Sequence, residues 1–270
     1  MTATRTDSSE RRAPWIAWPT LALFVVSIGG WCAIAWSVAQ GLVPMAWGAV
    51  GATVTAYLLF TPLHDAAHKS LSQVALLNEG VGRVCGWAYL GLFIGFRALH
   101  LAHHAHTNEP GADPDYWVSG GNRWTRPLRW VTLDLYYHVA HVRQWRAQSF
   151  AHKVEVVVTG VVLLALVGAL VAWGLGWEVL WLWLVPLKLV FTFLAYSFDY
   201  LPHRPHRVTA KEDRYRATGI HPSPWLTLPL MYQNYHLIHH LYPGVPFYRY
   251  PQIWRAEREV LLARGVLPHG

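Results

Sequence analysis

The sequence predicts an all-α integral membrane fold: four transmembrane helices in two hairpins, an interfacial helix, and a cytosolic helical cap that carries clustered histidines. Three observations lead there. Of the 270 residues, 53% are hydrophobic and only 14% charged, with 16 Trp and 13 Tyr, unlike an ordinary soluble domain and rich in the aromatics that collect at membrane interfaces. Four apolar runs, about 18–40, 45–63, 156–177 and 179–200, reach the roughly 20 residues needed to cross a bilayer. The turns within each pair of runs carry almost no positive charge, whereas the stretches between and after the pairs are basic.

The first run follows Arg5, Arg11 and Arg12, and Ser37-Val38-Ala39 imitates a cleavage site. A secretory signal core is only about 7–15 residues long, so this run reads as a span that follows a short tail, 1–17. Gly41 to Pro44 and Leu175 to Glu178 make the outer turns. Lys69, Arg83, Arg97, Arg123, Arg126, Arg129, Arg143, Arg146 and Lys153 lie in the central block, and Arg204 through Arg264 follow the last run. The positive-inside rule therefore puts both termini and the central block in the cytosol, at the inner or plasma membrane in a bacterial cell. Lys188 is the one positive charge within the fourth run, to be snorkelled or turned into the bundle.

Within the central block, Val84 to Leu99 is too short and too glycine-interrupted to span, and it is expected to form an interfacial or re-entrant helix lying against the bilayer. With no repeat and no composition break, 1–270 reads as a single membrane domain. Cys32 and Cys85 sit alone in apolar runs and read as packing residues. The net charge of +7 is spread over loops without forming a stripe, which argues against a nucleic-acid partner.

The 16 histidines are an excess, and their spacing carries the information. His64 and His68 are four apart; His100, His103 and His104 are related by three and four, and so are His236, His239 and His240. Residues three and four apart share a helix face, so each group aims two or three imidazoles at one place near a span end. Asp199 and His203 form a fourth pair at the exit of the last run. A single histidine at an interface is usually an anchor or a satisfied polar group; three clusters in helical register are not explained that way.

Eight or nine convergent imidazoles exceed the four ligands of a structural zinc site and the three of a catalytic one, so two ions fit the number. Imidazole suits iron, zinc, copper and nickel alike. A site at a membrane surface has little use for hydrolytic zinc, and iron with O2 acting on a lipid is the better match. Asp65, Asp113 and Asp115 are candidate partners for the ring N–H groups of ligating histidines, although Asp113-Pro114-Asp115 also reads as turn chemistry. His138 and His141 have helical spacing but sit among Tyr and Arg. His106, His152, His206, His221 and His269 are surface or outer residues. Two non-enzymes compete: a haem-bearing electron carrier, which needs histidines well inside the spans, and a metal-ion transporter, which needs polar groups along mid-bundle, where only Lys188 lies.

These residues resemble the three histidine boxes of the membrane fatty acid desaturase and hydroxylase superfamily, which includes carotenoid ring hydroxylases and ketolases. His64-Asp65-Ala66-Ala67-His68 is similar to the first box, His100-Leu101-Ala102-His103-His104 to the second and His236-Leu237-Ile238-His239-His240 to the third, over about Leu63 to Trp254. The resemblance implies a non-haem di-iron centre held by His64, His68, His100, His103, His104, His203, His236, His239 and His240. It places His203 in an Asn-x-x-x-His pattern in which Asp199 takes the Asn position. It further implies O2 and two electrons spent on an unactivated C–H bond, with electrons from a separate donor such as ferredoxin or a b5-type cytochrome. The first box, the stretch from Thr107 to Asp115 and the tail from Leu241 to Tyr248 look most similar to carotenoid ring hydroxylases, then to ketolases, with fatty acyl desaturases as the alternative.

Overall fold

The computed structural model describes residues 11–268, so Arg5 and His269 lie outside the described residues. Helix α1 (Trp18–Ala39) starts with Pro19 in its first turn, where a missing N–H leaves no bond unmade. Helix α2 (Met45–Ala67) returns antiparallel to it and runs four residues past the expected end, so that His64 lies in its last turns and not beyond the span. Nothing in His64-Asp65-Ala66-Ala67 breaks a helix, and His68 caps it by donating its N–H to the His64 carbonyl at 3.2 Å. The Thr20 hydroxyl donates to the buried Asp65 carboxylate at 2.8 Å and fastens α1 to this end of α2.

The stretch expected as one interfacial or re-entrant helix is divided between two helices joined by a sharp bend. Helices α3 (Ala75–Ala88) and α4 (Phe93–His106) meet at a bend of 103°. Leu90 adopts a φ of 52° there, and Phe93 folds back onto α3. A Cβ on Gly86 would stand 2.9 Å from the Phe93 backbone nitrogen and one on Gly82 within 2.1 Å of its ring, so Gly86, which resembles an interruption in the sequence, and Gly82 just before that stretch are the seat of the bend. Arg97 closes it by reaching Glu79 at 2.6 Å.

After a 3₁₀ turn at Pro114–Ser119 come α5 (Arg126–Val131) and α6 (Leu133–Arg143), separated by Thr132 alone. Helix α7 (Phe150–Ala172) begins six residues before the expected third span because Ser149 caps it, accepting the His152 N–H at 3.2 Å. The turn after it is earlier too, at Gly174. Helix α8 (Gly176–Tyr200) completes the fourth span, with π-helical stretches at Leu180–Leu184 and Ala195–Tyr200. The first precedes Pro186, which cannot donate to the ladder; the second widens the helix beside the histidines, a frequent location for such bulges. Two further helices matter, α9 (His236–Leu241) and α10 (Tyr250–Ala263).

Among the described residues, four helices are long and apolar enough to cross a membrane. The main core is built by α2, α3 and α8 through Leu59, Leu63, Val81, Leu187, Val190 and Phe198. A second core, with Leu237, Ile238, Tyr250 and Ile253, carries α9 against α10. Helix α7 buries no residue at all, which is stable only where hydrocarbon surrounds it. Lys188 is met by a carboxylate from outside the spans: it reaches Asp134 on α6 at 2.6 Å. Cys85 is buried in the core as expected, whereas Cys32 faces outward from α1, contrary to its reading as a packing residue.

Candidate metal centre

The end of α2, helix α4, the turn after α8 and helix α9 bring all nine candidate histidines together in two adjoining groups. The first comprises His64, His68, His100, His104 and His239; the second comprises His103, His203, His236 and His240, and within each the potential ligand atoms lie within 4.8 Å of one another. His239 Nε2 stands 3.1 Å from His64 Nε2 and 2.8 Å from His104 Nε2. His236 Nε2 stands 2.9 Å from His203 Nε2 and 3.1 Å from His240 Nε2, which is 3.3 Å from His103 Nε2. With metal–imidazole bonds of about 2.1 Å, neighbouring ligands sit roughly 3.0 Å apart around an octahedral ion and about 3.4 Å apart around a tetrahedral one.

The outer ring nitrogens decide between a hydrogen-bonded cluster and a ligand set. His103 Nδ1 faces Asp113 Oδ1 at 2.9 Å and Asp115 Oδ2 at 3.3 Å, and carboxylates only accept, so His103 donates from Nδ1. His236 Nδ1 faces the Gln233 side-chain oxygen at 3.3 Å, and His239 Nδ1 faces the Tyr250 hydroxyl at 3.1 Å. The Thr107 hydroxyl donates to the His103 carbonyl at 2.9 Å, leaving its oxygen to accept from His240 Nδ1 at 3.5 Å. With the protons of His103, His236, His239 and His240 on Nδ1, the Nε2 atoms of His103, His236 and His240 present converging lone pairs, which repel one another unless a cation lies between them. His68 Nε2 and His100 Nε2 are buried without a hydrogen-bond partner, a costly state for a polar atom that a metal bond relieves. Burial, reinforced by neighbouring imidazoles, holds His68, His203, His236, His239 and His240 well below the usual histidine range. They are therefore neutral, the form that binds metal. The donor set fits two ions.

Asp113 combines both roles that its sequence context offered. Besides His103 it accepts the backbone N–H of Asn108 at 2.7 Å and of Asp115 at 2.8 Å, so the turn also holds the carboxylate in place. Asp115 receives the Tyr137 hydroxyl, and burial pushes its carboxyl up to about 6. Asp65 departs from expectation: its carboxylate is met by Thr20, Ser70 and the Phe247 backbone and, among the described contacts, by no histidine. Asp199 is buried and stands outside both groups. His106 pairs with Glu109 at 3.2 Å, His152 lies 3.4 Å from His141, and the backbone of His221 is held by Asn234 at 2.7 Å. His206 stacks on Tyr200 with ring centroids 5.3 Å apart. Gln233, Tyr250, Thr107 and Tyr137 are the partners that sequence reasoning missed; only Gln233, three residues before His236, left a local signal.

A predominantly apolar cavity of 170 Å³ abuts the first group at His100, with Phe60, Phe96, Phe198 and Asp199 at that end and Tyr137, His138 and His141 along α6. An open cleft of 270 Å³ on another side exposes the edges of His104 and His240 beside Lys211 and Arg214.

Spans of this kind, ending on a doubled imidazole site that adjoins an apolar cavity, define an integral membrane protein organised around polyhistidine clusters. The sequence profile of the fatty acid desaturase family matches residues 43–269, and the chain belongs to that family of membrane oxidoreductases. It is similar to a β-carotene ketolase of Paracoccus sp. (strain PC1), 29% identical over 197 residues that make up 72% of each chain. It is also similar to an sn-1 oleoyl-lipid 12-desaturase of Arthrospira platensis, 24% identical over 261 residues, 86% of this chain and 73% of the relative. A chloroplastic omega-6 fatty acid desaturase of Arabidopsis thaliana is 26% identical over 255 residues, 85% of this chain and 54% of that one.

Proposed function

We propose that the chain is an O2-dependent di-iron oxygenase that oxidises a C–H bond on the ring of a carotenoid, as a hydroxylase or a ketolase. The observation that carries this reading is the pair of imidazole groups lying against an apolar cavity. Two iron ions held by His64, His68, His100, His104 and His239 on one side and by His103, His203, His236 and His240 on the other would supply O2 activation and the oxidising power for an unreactive C–H bond. The protein's own residues orient and shield. Asp113, Gln233 and Tyr250 fix the ring orientation of three of the histidines. Phe60, Phe96 and Phe198 exclude water from the place where the reacting carbon sits. A void of about 150 Å³ lined by apolar side chains holds a benzene-sized group, so a partly open cavity of 170 Å³ takes an apolar portion of a lipid substrate of about that size.

Electrons come from a separate protein, a ferredoxin or a b5-type cytochrome, with the cleft over His104 and His240 as its approach. Both termini and this centre face the cytosol under the same reading, consistent with the basic loops. The ketolase relative moves the emphasis from ring hydroxylation toward ketolation. Acyl desaturation is the second reading, favoured by the 12-desaturase likeness across 86% of the chain.

Expression in a host that makes β-carotene, with pigments and fatty acids profiled together, tests the assignment. A keto or hydroxy carotenoid supports it; a new acyl double bond with unchanged pigment replaces it by the second reading. About two non-haem irons per purified chain, without a Soret band, are expected.

A further inference from the structure

Helices α5 and α6 present a feature that neither the spans nor the metal centre uses. Leu128, Val131, Leu135, Val139 and Val142 are all exposed, Leu128 at 64% and Val142 at 69%. At about 100° per residue they fall within roughly 80° of arc along the nearly continuous α5–α6 rod. One flank of this strip carries Arg129 and Arg143. The opposite flank carries Asp134, His138 and His141, of which Asp134 pairs with Lys188 at 2.6 Å.

That pair fixes the depth of the rod. Lys188 is the midpoint of α8 (Gly176–Tyr200), about 18 Å from either end at 1.5 Å per residue, and the hydrocarbon core is about 30 Å thick. A helix tied to the middle of a span lies below the headgroups, and its exposed strip then faces acyl chains. On the flank, Arg129 is turned back onto Trp117, whose carbonyl it meets at 3.2 Å, so the exposed arginine there is Arg143 at the end of the rod, placed to reach toward lipid phosphate. The inner face of α6 meanwhile lines the apolar cavity through Leu133, Tyr137 and His141, and the α3–α4 bend lines its other side through Leu90, Gly91 and Leu92.

We infer that the α5–α6 strip is embedded in the lipid leaflet and that the reactant enters the cavity sideways from that leaflet, between α6 and the α3–α4 bend. The entry route rests on the oxygenase reading; the embedding of the strip does not. The strip is apolar and exposed along its length and is tied through Asp134 to the middle of a span, and lipid is the occupant that meets both.

Spin labels attached at Leu128→Cys, Leu135→Cys and Val142→Cys, in a full-length chain carrying Cys32→Ser and Cys85→Ala and reconstituted in phosphatidylcholine nanodiscs, test the embedding. Collisions with O2 should exceed those with a water-soluble nickel chelate at all three sites, and the order should reverse at Arg143→Cys. Nickel access on the strip equal to that at position 143, or shielding from both reagents as in a protein–protein contact, overturns it. Gly91→Leu tests the route, since a Cβ there meets nothing closer than 3.7 Å and the bend is not strained by it. Turnover of substrate supplied in the disc should fall at least tenfold while the label profile stays unchanged; undiminished turnover overturns the route. Should the parent chain oxidise neither carotenoid nor acyl lipid, the function assignment fails while the label profile still decides the embedding.

Discussion

His103 and Asp113 are joined Nδ1 to Oδ1 at 2.9 Å, with both side chains buried, and this contact turns the other nitrogen of His103 toward His240. The carboxylate is itself held by two backbone N–H groups, so it is a rigid acceptor. Removing such an outer partner typically costs about 10–100-fold in metal affinity. Asp113→Ala is expected to lose iron to a competing chelator at concentrations lower by that factor, at normal membrane yield. Asp113→Asn should retain more iron, because its amide oxygen still accepts. Equal retention by wild type and Asp113→Ala would show that the carboxylate does not act on the metal.

Among the nine histidines, His64, His104, His236 and His240 each have Nε2 in contact with another Nε2. Replacing any of them by Ala should reduce product formation below detection and lower the iron content, while the chain still inserts. A variant that turns over normally removes that residue from the ligand set.

Asp199 and His203 are one helical turn apart but differently placed: His203 is in the second histidine group and Asp199 lines the cavity outside both. His203→Ala should therefore reduce activity more than Asp199→Ala, and only His203→Ala should lower bound iron. The reverse order of activities would assign Asp199 a ligand's role.

The histidine boxes were legible because a helix converts spacings of three and four into one face, and His64, His100 and His236 each begin such a register. Convergence of three faces from distant stretches needs only that their helices end at the same level, which the span pattern implied. The outer partners were not legible. Tyr250 reaches His239 from α10, and Tyr137 reaches Asp115 from α6, through packing that no local pattern records. The place of the α3–α4 bend was not legible for a similar reason: Gly86 reads only as a weak point in a helix, and the fold alone shows that Phe93 occupies the space that it and Gly82 leave.

Burial pushes His206 down to about 4, and its Nε2 lacks a hydrogen-bond partner. Since the folded value lies below the ordinary 6.5, the unfolded chain binds more protons between the two. Stability then rises with pH across that window. The contribution is fully present above about pH 6.5 and is lost as the pH falls toward 4. Thermal melting of chelator-treated protein should show a lower midpoint at pH 5 than at pH 7.5. His206→Phe, which keeps an aromatic face against Tyr200, should flatten the dependence by roughly one proton's worth. An unchanged slope would show that His206 titrates like an exposed histidine.

Lys188 and Asp134 join the fourth span to α6 with contacts of 2.6 and 2.8 Å to the two carboxylate oxygens, and Lys188 also donates to the Val131 carbonyl at 2.9 Å. A single charge left at this depth is costly, whereas removal of both charges leaves an apolar contact that lipid tolerates. Lys188→Met and Asp134→Leu should each lower the melting midpoint of the detergent-solubilised protein by several degrees. The double variant should recover most of the loss, a coupling that a double-mutant cycle measures directly. Because Asp134 also borders the apolar cavity, product formation in the Lys188→Met variant should fall with stability and return in the double variant. Losses that simply add would mean that the two residues stabilise the protein independently, and α6 would then be held against α8 by its apolar contacts alone.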